Sequence, residues 1–399
     1  MALFNSEMLE AFDAATGPVN EAGILPPSLY TSSEFHAFER TAIFDREWIC
    51  VGRVEQVPNS GDWFQITLLD DPLLVVRDKD GEVRVLSAVC QHRGMLLVEG
   101  SGTASRFLCP YHHWCYGLDG RLVAAPEMDK TEEFERAEYG LPSLPVEIWN
   151  GFIFTNFDPG AAPLAPTLTS LTPLLENFDL ENCHHVVDET FADLPWNWKV
   201  MLENFNDGYH AHRLHEGIGD HVPGHNAKFL DWDDDDGHVT RLNYCTHMDG
   251  SFNPTLKCML PVFTNLTDDE RHRVMFALIP PTLGLAITPD SVTYFIVDPK
   301  SVDKIDIHIR YCLDPRAARE PLFAQLMEQV KAGVNMFNVQ DIYADTMVQK
   351  GLSSRFGPHG RYSWQEETLQ QFNRWLVKRY RAAWPQADAT DVVEERQSR

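Results

Sequence analysis

The spacing of apolar positions changes twice along the chain. Near the N-terminus, "EFHAFERTAIFDREW" carries apolar residues three and four apart, the spacing of one buried helix face. From Ile49 to about Asp158 the period falls to two. "DWFQITLL", "PLLVVRD", "VRVLSAV", "RFLCPY" and "GFIFTNF" are short β-rich runs separated by Gly, Asp and Asn turns. Residues 158–175, "DPGAAPLAPTLTSLTPLL", are rich in Pro and Ala and predict a linker. Beyond them the pattern is mixed: "WNWKVMLENFNDGYHAH" predicts one helix, and "RVMFALIP", "LGLAIT", "VTYFIVDP" and "IDIHIRYCL" predict strands. Two closing helices are expected at roughly 319–350 and 364–382. The chain thus divides into an arm (1–45), a β-rich domain (46–160) and a mixed domain (161–399), an α+β organisation. The run Asp233–Asp236 reads as a solvated loop tip, and the tail "QADATDVVEERQSR" as mobile.

Charge and cysteine usage narrow the class. A formal charge of −26 argues against nucleic acid as a partner, because phosphate backbones recruit basic surfaces. The first residues show no basic stretch followed by an apolar one, and no run approaches the length of a membrane span, so a cytoplasmic, non-membrane protein is expected. Eight cysteines are too dispersed for a disulfide scaffold, and only those from Cys90 to Cys115 are grouped, which points to metal.

That group reads "CQHRGMLLVEGSGTASRFLCPYHHW". It supplies Cys90-x-His92 and Cys109-x-x-His112, two thiolates and two imidazoles on tight loops. A zinc ion would take all four at once. A Rieske [2Fe–2S] cluster instead takes both thiolates on one iron and both imidazoles on the other, which raises its potential to roughly −150 to +300 mV. Ligand order, spacing, "HRG" and "CPYH" match the Rieske pattern. Arg93, Gly94 and Pro110 would shape the loops and Trp114 would shield the cluster. Met95 stands where respiratory Rieske proteins carry a further cysteine, so Cys115 has no evident partner and the centre resembles the oxygenase type. His113 is expected to be a bystander.

A second cluster, "DGYHAHRLHEG", holds His210, His212 and His215. On a regular helix His212 and His215 lie about 60° apart and His210 and His215 about 140°, so geometry alone favours the former pair as metal ligands. Taken with the Rieske loops, however, "NWK…EN…D-x-Y-H-x₄-H" resembles the large (α) subunit of the Rieske non-heme iron oxygenases, the aromatic-ring-hydroxylating family. The resemblance implies a helix-grip (START-like) catalytic domain with an antiparallel sheet and C-terminal helices. It also implies a mononuclear Fe(II) held by His210 and His215, with Asp341 of "NVQDIYADTMVQKGLSS" as third ligand and Asp345 as its rival. Such an i, i+5 histidine pair predicts local unwinding or a π-type bulge between Tyr209 and His215. By the same resemblance Asp207 is a bridging carboxylate, touching His210 and, across a trimer, His112 of a neighbouring subunit. Asn204 and Glu203 would support the site. Two imidazoles and one carboxylate leave a face of the iron open to O₂ and substrate.

No Gly-rich dinucleotide fingerprint follows a strand, so electrons from NAD(P)H must arrive through a separate reductase, with or without a ferredoxin. Whether a small β subunit joins the trimer stays open. "ENFND" is compact, which resembles the choline, carnitine, glycine-betaine and demethylase branch. Two substrate readings follow: monooxygenation of a small compound, including oxidative N- or O-demethylation, and arene ring hydroxylation to a cis-dihydrodiol. Phe205, Trp232, Tyr244 and Phe252 are candidate pocket aromatics. A non-catalytic iron–sulfur electron carrier is the alternative of another class, and it leaves everything beyond residue 160 without a role.

Overall fold

A computed structural model describes residues 3–215 and 217–385; the polar tail lies outside them. The arm begins with helix α1 (Ser6–Thr16), capped by the Asn5 side chain on the Met8 amide, a helix the apolar pattern had not marked. The expected helix of 34–48 runs from Ser33 to Glu39 and continues as a π-helical turn over Arg40–Phe44.

Strands between Ile49 and Thr155 pair only with one another, in a five-stranded sheet and two three-stranded ones. Leu74, Val76, Leu86, Phe107 and Tyr116 bury themselves between these sheets and form a core that includes Cys90 and Cys109. The sequence's two-residue period is the cause: alternate side chains face inward.

The expected linker is a packed element instead. Residues 165–168 and 172–175 are helical turns, and Leu164, Leu168, Leu171 and Leu175 are buried at helical spacing. The Pro and Ala composition masked that stripe.

The mixed domain is built on β1 (His184–Leu194), β2 (Ala227–Phe229), β3 (Val239–Tyr244), β4 (Arg273–Ile279), β5 (Leu283–Thr288), β6 (Ser291–Ser301) and β7 (Lys304–Leu313). Their order is β1-β7-β6-β5-β4-β3-β2, every pair antiparallel. Against this sheet pack α2 (Trp198–Asn206), α3 (Gly208–Leu214) and the long helix α4 (Phe323–Leu352), with α5 (Glu367–Ala383) closing the fold. The single helix expected over Trp196–His212 is therefore two, broken at Asp207. Gly333 of α4 lets that helix approach closely: a Cβ there would stand 2.3 Å from the Asn253 Cα. The arm is tied to α5 through Phe12 against Tyr380 and Trp384, and Arg381 against Asp13. A fully buried pair, Lys199 Nζ to Glu39 Oε1 at 2.7 Å, ties the arm to α2. Glu39 also accepts from Trp198 Nε1 and Tyr380 Oη, so the carboxylate is held by three donors. No helix among the described residues is long and apolar enough to cross a membrane.

Candidate active site

The two cysteine–histidine loops share one backbone design. The Cys90 amide donates to Met95 O and the Gly94 amide to Cys90 O; the Cys109 amide donates to Trp114 O and the His113 amide to Cys109 O. Each loop turns through a left-handed residue, Gly94 at φ 74° and His113 at φ 60°. His113 is thus the corner of its loop with its side chain exposed, while His112 faces His92 with ring centroids 4.5 Å apart. Trp114 stacks on His92 at 4.8 Å, and Phe134 and Tyr139 pack on Trp114. Tyr116 Oη lies 3.3 Å from Cys90 Sγ. Burial, and then the adjacent Cys90 thiol, push the Cys109 thiol above its ordinary range. Burial, His112 and Arg93 hold His92 below its ordinary value, which favours the neutral ring that a metal needs. Nδ1 of His92 and Nδ1 of His112 are buried without a protein partner. Two orphaned imidazole nitrogens beside two buried sulfurs are the donor set of a Rieske cluster. Cys115 is buried and unpaired.

The second centre forms where α2 stops. Asp207 (φ −79°, ψ 116°) leaves the helical region, and its Oδ1 accepts from the amides of Tyr209 at 2.5 Å and His210 at 3.3 Å. It is the N-cap of α3, and its other oxygen lies 3.1 Å from His210 Nδ1, an ion-pair contact rather than an aligned hydrogen bond. Of the local unwinding or π-type bulge expected between Tyr209 and His215, the structure shows the unwinding and no bulge: α3 is regular through Leu214, and His215 stands at its C-cap (φ −96°, ψ 103°). No further helical turn blocks the ring there, so an i, i+5 pair converges without a bulge. His212 packs instead against Gly219 and Gly224.

Nε2 of His210 is 3.5 Å, and Nε2 of His215 3.3 Å, from Asp341 Oδ1. One donor atom from each of the three residues falls within 4.8 Å of the others. Gln340 Oε1 lies 2.7 Å from His215 Nδ1, which places the proton on Nδ1 and the Nε2 lone pair toward Asp341. Sequence reading missed Gln340, although it is the immediate neighbour of Asp341. Burial opposes a charge on His210, but Asp207 and Asp341 outweigh it and push its pKa up to about 9. Burial would raise Asp341 too, yet the two histidines bring it down to about 2. Asp345 differs: burial, and the charge of Asp341, hold it well above the carboxylate range, and it lies outside the group formed by His210, His215 and Asp341. Asn204 donates to Asp341 Oδ1 at 3.4 Å. Glu203 faces the other way, accepting from Tyr30 Oη at 2.5 Å, and burial pushes it up to about 7.

The three residues open on a cavity of about 130 Å³ between the sheet and α4. Phe205 and Phe252 line it, as expected, together with Phe191, Phe276, Phe295 and Phe337. Trp232 and Tyr244 do not: Trp232 donates to His238 O beneath Arg374, and Tyr244 bonds Asp269. When bound, an iron held by two imidazoles and one carboxylate supplies O₂ activation at its open face.

Comparison with known proteins agrees with both centres. The family model for the Rieske [2Fe-2S] domain matches residues 47–142, and that for the ring hydroxylating alpha subunit (catalytic domain) matches 180–382. The carnitine monooxygenase oxygenase subunit of Acinetobacter baumannii is 29% identical over 340 residues, 84% of this chain and 86% of that protein. The glycine betaine monooxygenase oxygenase subunit of Pseudomonas aeruginosa is 32% identical over 212 residues, 53% of this chain and 47% of that one. In fold, naphthalene 1,2-dioxygenase from Rhodococcus sp. superposes with a TM-score of 0.80 at 19% identity, covering 96% of this chain and 100% of that one. By its two domains and the long match of its catalytic half, the chain belongs to the ring-hydroxylating alpha-subunit family of Rieske oxygenases.

Proposed function

We propose that this chain is the terminal oxygenase of a multicomponent system that monooxygenates a small organic compound, oxidative demethylation included. The observation that carries the reading is the convergence of His210, His215 and Asp341 on a cavity walled by phenyl rings, in a chain that also carries a Rieske donor set. In this reading Cys90, His92, Cys109 and His112 hold the cluster, and His210, His215 and Asp341 hold the iron. Asn204 steadies Asp341. Residues 46–160 are the electron-storing domain and 161–399 the catalytic one, with the arm 1–45 packed on the latter. The named activities of the carnitine and glycine betaine relatives favour a methyl-bearing substrate over an arene.

Electrons reach the cluster from NAD(P)H through a separate cytoplasmic reductase, with or without a ferredoxin. They leave across a homotrimer interface, where Asp207 bridges His210 to His112 of the partner subunit. Two exposed apolar patches support that interface. Met95, Leu108 and Tyr111 are exposed on or beside the Rieske loops, Tyr111 against His112, and Met336, Val339, Tyr343 and Met347 form a stripe on the outer face of α4. Apolar area of this kind on helical spacing marks a surface that is covered in the assembled protein.

The test is NADH consumption with a reductase of this system across an arene panel and a methylammonium panel. Substrate-dependent consumption with formaldehyde release supports demethylation; cis-diol products from arenes with no formaldehyde replace it by the ring-hydroxylating reading. Iron and sulfide analysis with an EPR spectrum of the reduced protein separates an oxygenase from a protein that holds only a cluster.

A further inference from the structure

The cavity that receives substrate is walled mainly by apolar side chains; away from the iron-binding end its polar lining is Asn243, Thr293, Asn338 and one cation. Arg241, on β3, lines it and is only 3% exposed. Its guanidinium lies over the face of Phe276, 3.9 Å from the ring centroid. Nε donates to Asn206 O at 3.2 Å, one terminal nitrogen to Asn243 Oδ1, and the other, at 3.5 Å, to Asp207 O. All three acceptors are neutral, and no carboxylate forms an ion pair with Arg241 among the described residues. A guanidinium carries five N–H groups, so one on each terminal nitrogen has no protein acceptor.

A buried charge with no carboxylate in ion-pair contact, only the longer-range charge of Asp207, is costly. Capping the carbonyls at the end of α2 accounts for two of the N–H groups, and the Asn243 side chain for a third. They do not account for a cation lining a space walled mainly by apolar side chains. Resting on the oxygenase reading above, we infer that the substrate carries a carboxylate, seated on the two unclaimed N–H groups of Arg241, with its apolar body against the phenyl walls. Arg presents a planar fork that matches a carboxylate, and low-dielectric walls strengthen the pairing. The same charge repels a purely cationic ligand from the cavity.

Binding is measured on the metal-loaded oxygenase by quenching of tryptophan fluorescence, for which Trp196 in the cavity wall is the reporter. The probes are a matched series: 4-methoxybenzoate, 4-methoxytoluene and 4-methoxybenzylammonium. The wild type should bind the anion at least about tenfold more tightly than the neutral member, and the cation most weakly. R241Q should remove the preference, the anion losing at least about tenfold more affinity than 4-methoxytoluene, and R241K should retain part of it. Equal or weaker binding of the anion by the wild type overturns the inference, as does failure of the whole series to bind. Parallel loss of the anion and the neutral probe in R241Q, with the Rieske absorbance intact, assigns Arg241 to supporting the α2–α3 break alone. The readout needs no turnover, so its failure leaves the oxygenase reading standing.

Discussion

Replacing Asp207 by Asn and by Ala separates two roles that one carboxylate holds. As N-cap of α3 it takes two amides through Oδ1; as partner of His210 it offers Oδ2 at 3.1 Å. Asn caps helices about as well as Asp, so Asp207→Asn should leave stability nearly unchanged, whereas Asp207→Ala should cost about 1 kcal/mol. For a domain of this size that is about 2–4 °C in Tm. The electrostatic role is lost in both. The carboxylate is 17% exposed and orients a ring that faces Asp341 with its other nitrogen, and removal of such outer partners costs about 10–100-fold in activity or metal affinity. Both variants should keep the Rieske spectrum and mononuclear iron, yet lose at least about tenfold in the rate at which O₂ with substrate oxidises the pre-reduced cluster in a single turnover. The assay is stopped-flow absorbance, with iron analysis and thermal melts run alongside. Wild-type rates in Asp207→Asn would refute the bridging role; equal melting of Asn and Ala variants would refute the capping one.

Four further outcomes follow from contacts in the site and the fold. In the metal-free protein His210 is protonated up to about pH 9, so ion uptake displaces a proton; Co(II) affinity should rise about tenfold per pH unit from pH 7 toward 9, and a flat profile would contradict the assignment. The sign for stability is opposite: because the folded pKa of His210 is raised above its ordinary 6.5, its contribution is complete below pH 6.5 and lost as pH rises through about 9, so melts of the apo protein should decline across that window. Gln340→Leu should weaken metal binding about 10–100-fold by freeing the tautomer of His215, measured by the same titration. Lys199→Met leaves Glu39 buried without its cation and should cost about 3–5 kcal/mol in chemical denaturation, much of it recovered by Glu39→Gln in the same chain.

Local signals were legible where chemistry or periodicity is local. The period-two strands and the closing helices lie where the apolar pattern predicted, shifted by a few residues at their ends. The Cys90–His92 and Cys109–His112 pairs were visible because each loop is specified by adjacent residues. The element at 164–175 was misread because its apolar stripe of Leu164, Leu168, Leu171 and Leu175 sits among prolines that suggest a linker. Trp232 and Tyr244 were misplaced because no rule of spacing tells which side of a loop or edge strand faces the cavity. Arg241 was invisible because, Asn243 on its own strand apart, its neighbours Asn206 and Phe276 are brought to it by the fold and not by sequence.

The histidine pair shows how the fold resolves what the helix rule could not. A 3.6-residue turn cannot aim residues i and i+5 at one point, and within an uninterrupted helix it would favour His212 with His215. The chain escapes by making α3 short. It starts on the Asp207 cap and ends at Leu214, so His210 points from within the helix and His215 from beyond it. What holds the break open comes from outside: the Asn206 carbonyl, freed at the end of α2, accepts from Arg241 Nε and Thr368 Oγ1. The carbonyls that a continuous helix would have used internally are thus tied to the sheet and to α5. Convergence of the iron ligands therefore depends on residues far from the metal. Thr368, fully buried and not among the cavity-lining residues, should when replaced by Val loosen the geometry of His210, read as weaker Co(II) uptake in the same titration with the Rieske absorbance unchanged.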